Sequence, residues 1–366
     1  MTIGSVIQCL EKIAPLYLQE DYDNAGLLVG DNSMDCSGVL VSLDVTEEVI
    51  EEAVQKKCNL VVAHHPIIFR GLKKITGKNY VEKTIIKAIK NDVAIYAIHT
   101  NLDNVIDGVN AKMAQMLGLV NCKILSPKKG LLQKLIVYVP LIDRETMMQA
   151  LFDAGAGEIG QYSECSFSAE GVGTFKPGPD ANPQTGERGV RFADKENKLE
   201  VIFPKWLQPR VLQAMRSAHK YEEIAFDLID LSNELQLTGS GLIGEFSNPV
   251  SEIDCLKLIS NKFNVKAVRH TALQGKQIKK VAVCGGSGSF LTGAAIAAEA
   301  DIFITSDIKY HEFFDAENRI ILADIGHFES EQYTIDLLAD VLQQNFPNFA
   351  VLKTGVRTNP VHTFLG

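Results

Sequence analysis

The stretch GVLVSLDVTEEVIEEAVQKKCNLVVAHH, residues 38–65, decides the fold. Two short apolar runs rich in β-branched residues lie on either side of an amphipathic segment with helical periodicity. Thr46 stands where a helix N-cap is expected, and the acids that follow it suit the first turn of a helix. The stretch therefore predicts a strand, a helix and a second strand parallel to the first, with both strands buried on both faces.

The same alternation of apolar runs and amphipathic segments continues along the chain and returns near its C-terminus. Further strands are predicted at VAIYAIHT (93–100), VAVCGG (281–286), DIFITSD (301–307) and IILADIGH (320–327), and further helices at VEKTIIKAIKN (81–91), LTGAAIAAEA (291–300), YHEFFDA (310–316) and SEQYTIDLLADVLQQN (330–345). Strands that alternate with helices favour parallel sheets. We therefore expect an α/β fold in which two parallel-sheet α/β blocks, residues 1–127 and 235–366, form one domain that holds a metal site.

The residues between these blocks, 128–234, have a pattern of their own. Their apolar and amphipathic runs are, in order, KLIVYVP, RETMMQALFDAG, YSECSFSAEGVGTF, RFADKENKLEVIFP, QPRVLQAMRSAH and EIAFDLIDL. This order predicts β-α-β-β-α-β, the split-βαβ or ferredoxin-like arrangement, which closes a sheet without help from the flanking chain. We expect residues 128–234 to form an inserted α+β domain.

The composition excludes several classes of protein. The 366 residues include 36 Lys and Arg against 45 Asp and Glu, a formal net charge of -9, so no general nucleic-acid binding is expected. The N-terminus lacks the pattern of a signal peptide, and no segment stays apolar for the roughly 18 residues that span a membrane. The seven cysteines form no C-x-x-C pair, which predicts free thiols in a cytoplasmic protein without membrane partners.

Polar side chains follow the predicted strands at the points where these strands end. In open parallel sheets ligands gather outside the carboxyl ends of the strands. A single histidine there is usually a hydrogen-bonded structural residue, but several imidazoles and carboxylates at equivalent positions indicate a metal site. The residues at or just after these ends are Asp44, His64, His65, His99, Asp103, Asp307 and His327.

The candidate metal ligands are His64, His65, Asp103, His327 and Glu331. Successive strand residues point to opposite sides, so the two adjacent imidazoles would address different metals, or one metal and its surroundings. His327 and Glu331 share one face if a helix begins near His327, and Asp103 would be terminal or bridging. Five ligands exceed the three that usually hold one catalytic ion, which predicts two divalent ions, and N/O ligation suits Zn, Fe or Mn.

Two further loops leave alternatives open. GGSGS (285–289) follows a strand and precedes a helix, where backbone N–H groups hold an anion or form a tight turn. It lacks the P-loop Lys, and Leu291 occupies the third glycine position of G-x-G-x-x-G. DNAGL (23–27) is either an Asx turn or a loop at the rim of the site.

With these residues assembled, the chain resembles the family of GTP cyclohydrolase I type 2 homologues, also called the Ngg-interacting-factor-three family. The matching motifs keep their order across both blocks: DNAGLLVG (23–30), HHPIIFRGLKKI (64–75), HTNLDNVIDGVN (99–110), CGGSGS (284–289), TSDIKYHEF (305–313) and GHFESE (326–331). The resemblance implies a dinuclear metal centre at the five ligands that the strand ends indicate. It also implies a toroidal homohexamer and an inserted domain similar to the nitrogen-regulatory P-two and CutA proteins.

The resemblance further implies a hydrolase acting on a small molecule, GTP or another nucleotide. A metal-activated water would open the imidazole portion of guanine and release formate, and His99 and His311 are by position the candidates for moving protons. Two alternatives stand beside this function because a fold and a metal do not fix a substrate. One is a non-catalytic metal-binding, regulatory or metal-trafficking protein, and the other is a metal-dependent phosphoester or amide hydrolase.

Overall fold

A computed structural model describes residues 1–364 of the chain. The chain divides into two compact units: Met1–Ser126 together with the chain from Leu237 onward, and Pro127–Gln236. Within the described residues, no helix is both long enough and apolar enough to cross a membrane. The seven cysteines are all free.

The chain up to the smaller unit alternates strands with helices, and its last strand runs a few residues past Ser126. The elements are α1 (Ile3–Ile13), β1 (Gly26–Val29), β2 (Val39–Ser42), α2 (Glu47–Gln55), β3 (Leu60–Ala63), α3 (Tyr80–Lys90), β4 (Ala94–Ala97), α4 (Thr100–Asp103), α5 (Val109–Leu117) and β5 (Val120–Lys129). Helix α2 begins where the sequence predicts, because the Thr46 side chain accepts a hydrogen bond from the Val49 N–H. Asn79 caps α3 in the same way by accepting from the Glu82 N–H.

The smaller unit has its own sheet and its own core. Its elements are β6 (Leu132–Pro140), α6 (Arg144–Asp153), β7 (Ser166–Phe175), β8 (Phe192–Pro204), α7 (Gln208–Ala218) and β9 (Phe226–Leu231). The strands lie in the order β7-β8-β6-β9, and every neighbouring pair is antiparallel. Leu135, Val137 and Val139 of β6 alternate toward one face and pack in one cluster with Leu151 and Val211 of the two helices.

The chain returns to the larger unit with a second series of elements. They are β10 (Glu234–Ser251), α8 (Glu252–Phe263), β11 (Arg269–His270), β12 (Gln277–Ser287), α9 (Thr292–Ala297), β13 (Ile302–Ser306), β14 (Ile321–Asp324), α10 (His327–Glu331), α11 (Thr334–Asn345) and β15 (Val351–Lys353). YHEFFDA, predicted as an α-helix, is instead a 3₁₀ helix at Tyr310–Ala316. The segment is short, and short connectors commonly take this tighter form.

The first sheet of the larger unit has the strand order β1-β4-β3-β2-β15. Strands β2, β3 and β4 are parallel, as the βαβ pattern predicts, and all their residues are buried; β15 is parallel to β2. The prediction of a wholly parallel sheet is wrong at one edge, where β1 runs antiparallel to β4. Strand β15 completes the opposite edge, so the C-terminal part of the chain contributes to the N-terminal sheet.

The second sheet is also mixed, with the order β11-β14-β13-β12-β10-β5. Its centre, β12-β13-β14, is parallel as expected. Strands β10 and β11 run antiparallel to their neighbours β12 and β14, which corrects the parallel prediction for this block too. The sequence pattern missed β10 because its glycines, asparagine and proline interrupt the apolar periodicity.

Candidate metal centre

The carboxyl ends of the parallel strands in both sheets carry the candidate ligands. Strand β3 ends at Ala63, so His64 and His65 lie just beyond it, and both rings contribute to one cluster with centroids 5.0 Å apart. Helix α10 begins at His327, as the i,i+4 spacing requires, and His327 Nε2 lies 3.0 Å from Glu331 Oε2. Residues from the two sheets therefore meet at one place.

Each of four imidazoles in this cluster uses its Nδ1 atom on a fixed acceptor. The pairs are His64 with the Ile98 carbonyl (2.8 Å), His65 with Asp44 (2.8 Å), His99 with Asp23 (2.7 Å) and His327 with Asp307 (2.6 Å). An acceptor at Nδ1 selects the tautomer in which Nδ1 carries the proton and Nε2 offers a lone pair. This arrangement is the usual support for a histidine that ligates a metal, because it fixes the ring and raises its basicity.

Glu331 is the residue that the cluster shares. Its Oε2 atom lies 2.9 Å from His65 Nε2 and 3.0 Å from His327 Nε2, while its Oε1 atom faces His64 Nε2 at 3.8 Å. Asp103 Oδ1 lies 3.6 Å from the same His64 nitrogen. The side chains thus form two groups of three that could each hold an ion, His64/Asp103/Glu331 and His65/His327/Glu331.

Two buried polar atoms of the cluster test whether this donor set fits metal ions. Within the part of the chain that the structure describes, His64 Nε2 and Asp103 Oδ1 are buried and make no hydrogen bond. Leaving such atoms unpaired costs about 1–3 kcal/mol each. Both atoms can accept and lie among the other acceptors of the cluster, so a cation at this place would satisfy them together. The residues present therefore fit divalent metal ions.

The electrostatics of the cluster also require positive charge. Burial of the carboxyl and the nearby charge of Glu331 raise the pKa of Asp103 to about 7. Burial disfavours the charged form of both His65 and His327, but their carboxylate partners outweigh it and raise the pKa to about 9 and about 11. Without a metal, protons on these rings hold the carboxylates together.

The strand register explains why Asp23 reaches the cluster. Gly26 of β1 faces Ala97 of β4 in an antiparallel pair, so the loop before Gly26 continues alongside the residues after Ala97. Asp23 accordingly accepts hydrogen bonds from the Thr100 N–H (3.1 Å) and from His99 Nδ1. Although burial opposes ionisation, these bonds and the charge of His99 lower the pKa of Asp23 to about 2. The DNAGL loop therefore lies at the site.

Comparison with known proteins places this geometry in a family. The family model described as Duf34/NIF3 (NGG1p interacting factor 3) matches residues 1–360. The chain belongs to the Duf34/NIF3 family. It is 38% identical over 361 residues, 97% of each chain, to the "GTP cyclohydrolase 1 type 2 homolog" of Halalkalibacterium halodurans, and 38% identical to the Bacillus subtilis protein of that name, over 88% of this chain and 87% of that one.

Solved structures of Duf34/NIF3 relatives have the same fold. A Bacillus cereus protein related to NIF3 is 35% identical, with a TM-score of 0.84 over 100% of this chain and 99% of that one. A Staphylococcus aureus protein is 30% identical, with a TM-score of 0.80 and the same coverage. The family resemblance read from the motifs is thereby confirmed.

The two proton-transfer candidates of this Duf34/NIF3 chain lie in different settings. The His99 ring lies 5.3 Å from the His64 ring and 5.4 Å from the His65 ring, and these three residues form a further group that could hold an ion. His311 is exposed on the 3₁₀ helix Tyr310–Ala316, with its ring against Tyr310 and Phe314. The structure brings His99 to the cluster and places His311 among surface aromatic rings.

The glycine loop is a tight turn against the ligands. The Gly285 N–H donates to Asn110 Oδ1 (2.9 Å) and the Gly286 N–H donates to Ser330 Oγ (3.0 Å), so neither amide is available to an anion. Gly286 has φ +61°, and a Cβ there would lie 2.4 Å from Glu331 Oε1. Of the two alternatives that the sequence leaves open, the geometry favours the tight turn. The absence of a side chain at Gly286 lets the backbone lie close to the Glu331 carboxylate.

The roles of the three carboxylates that orient the imidazoles were not predicted from the sequence: Asp23, Asp44 and Asp307. Two of them stand at strand ends, which is a signal that could have identified them. Asp307 also adopts φ +55°, which strains a residue other than glycine and occurs where its side chain reaches His327. Asp23 lies in a loop, and only the antiparallel pairing of β1 with β4 brings it to His99.

Proposed function

We propose that this chain is a metal-dependent hydrolase that opens the guanine ring of GTP, or acts on another nucleotide, with two divalent ions at the cluster. The ligands would be His64, His65, Asp103, His327 and Glu331, with zinc, iron or manganese as the ions. The observation that carries the proposal is the pair of three-donor groups that share Glu331. Three protein ligands per ion is the pattern of catalytic sites, which keep a position open for water or substrate.

The protein's own residues have distinct parts in this proposal. Bound divalent ions would supply a water of lowered pKa and polarise the substrate. Asp44 and Asp307 orient the ligand rings of His65 and His327. Asp23 keeps the Nδ1 proton on His99, which leaves the Nε2 atom of His99 free to accept a proton. His311 stays a prediction for the second proton-transfer residue.

One observation favours a metal-binding or regulatory protein instead. The group His64/His65/His99 gives the cluster an additional imidazole that could ligate an ion. A fourth protein ligand closes a tetrahedral site, and closed sites are structural or storage sites more often than catalytic ones. The role of His99 therefore separates the two functions.

The experiment measures formate release and nucleotide consumption by protein loaded with each candidate metal. We expect the metal-loaded protein to release formate from GTP, and His64→Gln to abolish this release. His270→Gln is the matched control, because His270 is exposed on β11 and its ring contacts the carbonyl of the neighbouring Thr271. Phosphoester and amide substrates assayed beside GTP test the other hydrolase. A metal-loaded protein that converts none of these substrates contradicts the proposal.

His99→Gln decides between hydrolase and binder on the same preparations. A proton-transfer residue leaves the metals bound when it is replaced and costs typically 10²- to 10⁴-fold in rate. We expect His99→Gln to keep the wild-type metal content and His65→Gln to lose metal. If His99→Gln loses as much metal as His65→Gln, His99 is a ligand and the closed-site interpretation is favoured.

We also propose that residues 128–234 form a ferredoxin-like inserted domain and that the chain assembles as a toroidal homohexamer. The β-α-β-β-α-β order and the sheet order β7-β8-β6-β9 support the first of these proposals. The second follows from the family resemblance in the sequence. Analytical ultracentrifugation of the full chain tests it, because a monomer at micromolar concentration contradicts the hexamer.

A further inference from the structure

A row of aromatic rings leads from the surface to the metal cluster. Tyr22 and Phe69 are large side chains that remain 66% and 46% exposed. Their ring centroids lie 6.3 Å apart, and the Phe69 ring lies 6.3 Å from the His99 ring at an interplanar angle of 74°. His99 in turn contacts the ring of His65. Exposed rings that are continuous with a candidate catalytic centre offer a stacking surface beside it.

The two loops that carry these rings are tied together. The Asn24 side chain donates a hydrogen bond to the Ile68 carbonyl at 2.6 Å, and this joins the loop of Tyr22 to the loop of Phe69. Asp23, which lies between Tyr22 and Asn24 in the chain, accepts a hydrogen bond from His99 Nδ1. Three consecutive residues thus supply a ring, a support for His99 and a bond to the other loop. The rings are preorganised, and preorganisation lowers the cost of binding a ligand.

A group of unpaired cations follows Phe69 directly. Arg70, Lys73, Lys74 and Lys78 are all exposed, and among residues 1–364 their side chains make no ion pair. Five extended residues span at most about 18 Å, so Lys74 lies within about that distance of Phe69. Glu82 fixes the end of this loop by accepting hydrogen bonds from the N–H groups of Thr76 (2.7 Å) and Lys78 (3.1 Å).

We infer that Tyr22, Phe69 and the cationic loop, residues 70–78, recognise a nucleotide beside the metal cluster. The base stacks on the rings of Tyr22 and Phe69, and the phosphates bind the cations of the loop. This inference rests on the proposed function, since it names the residues that position the substrate of that same site. The charge of the loop supports this inference, because four cations without an ion-pair partner among residues 1–364 favour an anionic ligand, although the chain as a whole has a net charge of -9.

The shape of the surface favours a small ligand over a protein partner. A stable protein interface buries at least about 1,000 Å². The exposed aromatic surface here comes from two side chains and ends at the partly buried candidate metal centre, which is the geometry of a ligand subsite. Stacking on an aromatic ring contributes binding free energy for any planar base, whatever its substituents. Phosphates add charge-assisted hydrogen bonds from Arg and Lys.

The test uses calorimetric binding of three probes, GTP, guanosine and inorganic triphosphate, to the metal-loaded full-length chain. We expect Tyr22→Ala and Phe69→Ala to weaken GTP and guanosine roughly tenfold and to leave triphosphate unchanged. Lys73→Gln with Lys74→Gln should weaken GTP and triphosphate, with a reduced salt dependence, and leave guanosine unchanged. The conservative variants Tyr22→Phe and Phe69→Tyr keep the ring and should bind all three probes with the affinity of the wild type.

Matched controls separate this subsite from general surface effects. Phe167→Ala removes a ring that is 65% exposed on β7 of the smaller unit, and Lys262→Gln with Lys266→Gln removes two exposed charges in and just after helix α8. Both controls should leave the binding of all three probes unchanged. Equal losses in the controls and in the Phe69→Ala and double-lysine variants would overturn the inference, as would the absence of measurable GTP binding at millimolar concentration.

Failure of the inference and failure of the proposed hydrolase give different results. If the wild type releases formate from GTP while Phe69→Ala and the double-lysine variant keep the wild-type KM and Kd, the subsite is wrong and the hydrolase stands. If GTP binds with the expected pattern and no formate is released, the subsite stands and the hydrolase is wrong. A higher KM with an unchanged kcat in the variants supports both.

Discussion

His65 is held at both ring nitrogens, by Asp44 at 2.8 Å from Nδ1 and by Glu331 at 2.9 Å from Nε2. The first carboxylate comes from the end of β2 and the second from helix α10, so the ring connects the two sheets of the larger unit. Asp44 orients the ring from outside the cluster, and Glu331 meets it inside. This arrangement separates residues that bind metal from residues that position the ligands.

Replacing Asp44 should weaken metal binding without removing a ligand. We expect Asp44→Asn to lower the metal affinity of the cluster by about 10- to 100-fold, because the Nδ1 partner fixes the His65 tautomer. Competition with a chelator of known affinity measures the change. Thr358→Val is the control, since Thr358 donates to Asp44 Oδ2 and not to the Oδ1 atom that meets His65. Equal losses in both variants would show that Asp44 acts only through local stability.

Glu331 and Asp103 should differ in the number of ions that they control. We expect the wild type to bind two ions per chain. Asp103→Ala should lose one of them and Glu331→Ala both, because only Glu331 belongs to both three-donor groups that contain a carboxylate. Elemental analysis of protein purified without chelator counts them. A wild-type value near zero after reconstitution with Zn, Fe and Mn contradicts the metal centre itself.

Gly286→Ala should damage the cluster from the backbone side. A Cβ at this position would lie 2.4 Å from Glu331 Oε1 and 3.3 Å from His327 Cε1, and the residue has φ +61°. We expect lower metal content and a free energy of unfolding reduced by at least about 1 kcal/mol. Gly293→Ala is the control, because that glycine is exposed in α9 with no atom near its added Cβ. A metal content unchanged in Gly286→Ala would refute the role of this close approach.

The metal-free protein should become less stable as the pH rises. The folded pKa values of His65 and His327, about 9 and about 11, exceed the unfolded value of about 6.5. The native state therefore holds these protons more tightly, which stabilises it fully below about pH 6.5 and progressively less as the pH rises through the folded values. The pKa of Asp103 is also raised, to about 7, so its contribution to the free energy of unfolding is likewise lost as the pH rises, but in a lower pH range.

Denaturation of chelator-treated protein between pH 6 and pH 10 measures this dependence. We expect the free energy of unfolding to fall across the range, and to fall less in a His65→Gln/His327→Gln variant. Asp23 and Asp44 have lowered pKa values, so their contributions are lost only as the pH falls and do not act in this window. A free energy of unfolding that rises with pH would be inconsistent with protonated rings in the metal-free cluster.

Removing residues 128–234 should leave a folded protein that still binds metal. The ends of this segment lie close together, because Lys129 Nζ is 3.4 Å from Glu234 Oε1, so a short Gly/Ser linker can join them. Thermal unfolding and metal content of the deletion variant, compared with those of the full chain, test the expectation. Loss of cooperative unfolding would show that the segment belongs to the main core.

The local pattern of the sequence predicted the elements near the site well. Thr46, the apolar runs around it and the i,i+4 spacing of His327 and Glu331 specify short-range structure, and the structure has the helices and parallel strands at those places. The prediction of parallel strands was wrong at β1 and β10, because these strands pair antiparallel with strands distant in the chain. The shortness of β1 and the interrupted apolar periodicity of β10 give no local signal for such a pairing.

The sequence by itself determined which kinds of side chain stand at the strand ends, since strand periodicity and ligand chemistry are both local properties. Only the tertiary structure decided their partners: Asp23 with His99, Asp44 with His65, and Glu331 between the two groups. It also set Tyr22 against Phe69. These pairs join residues 21 to 266 positions apart, as the sequence numbers show. Such contacts depend on sheet register and on the packing of two sheets, which no short stretch of sequence encodes.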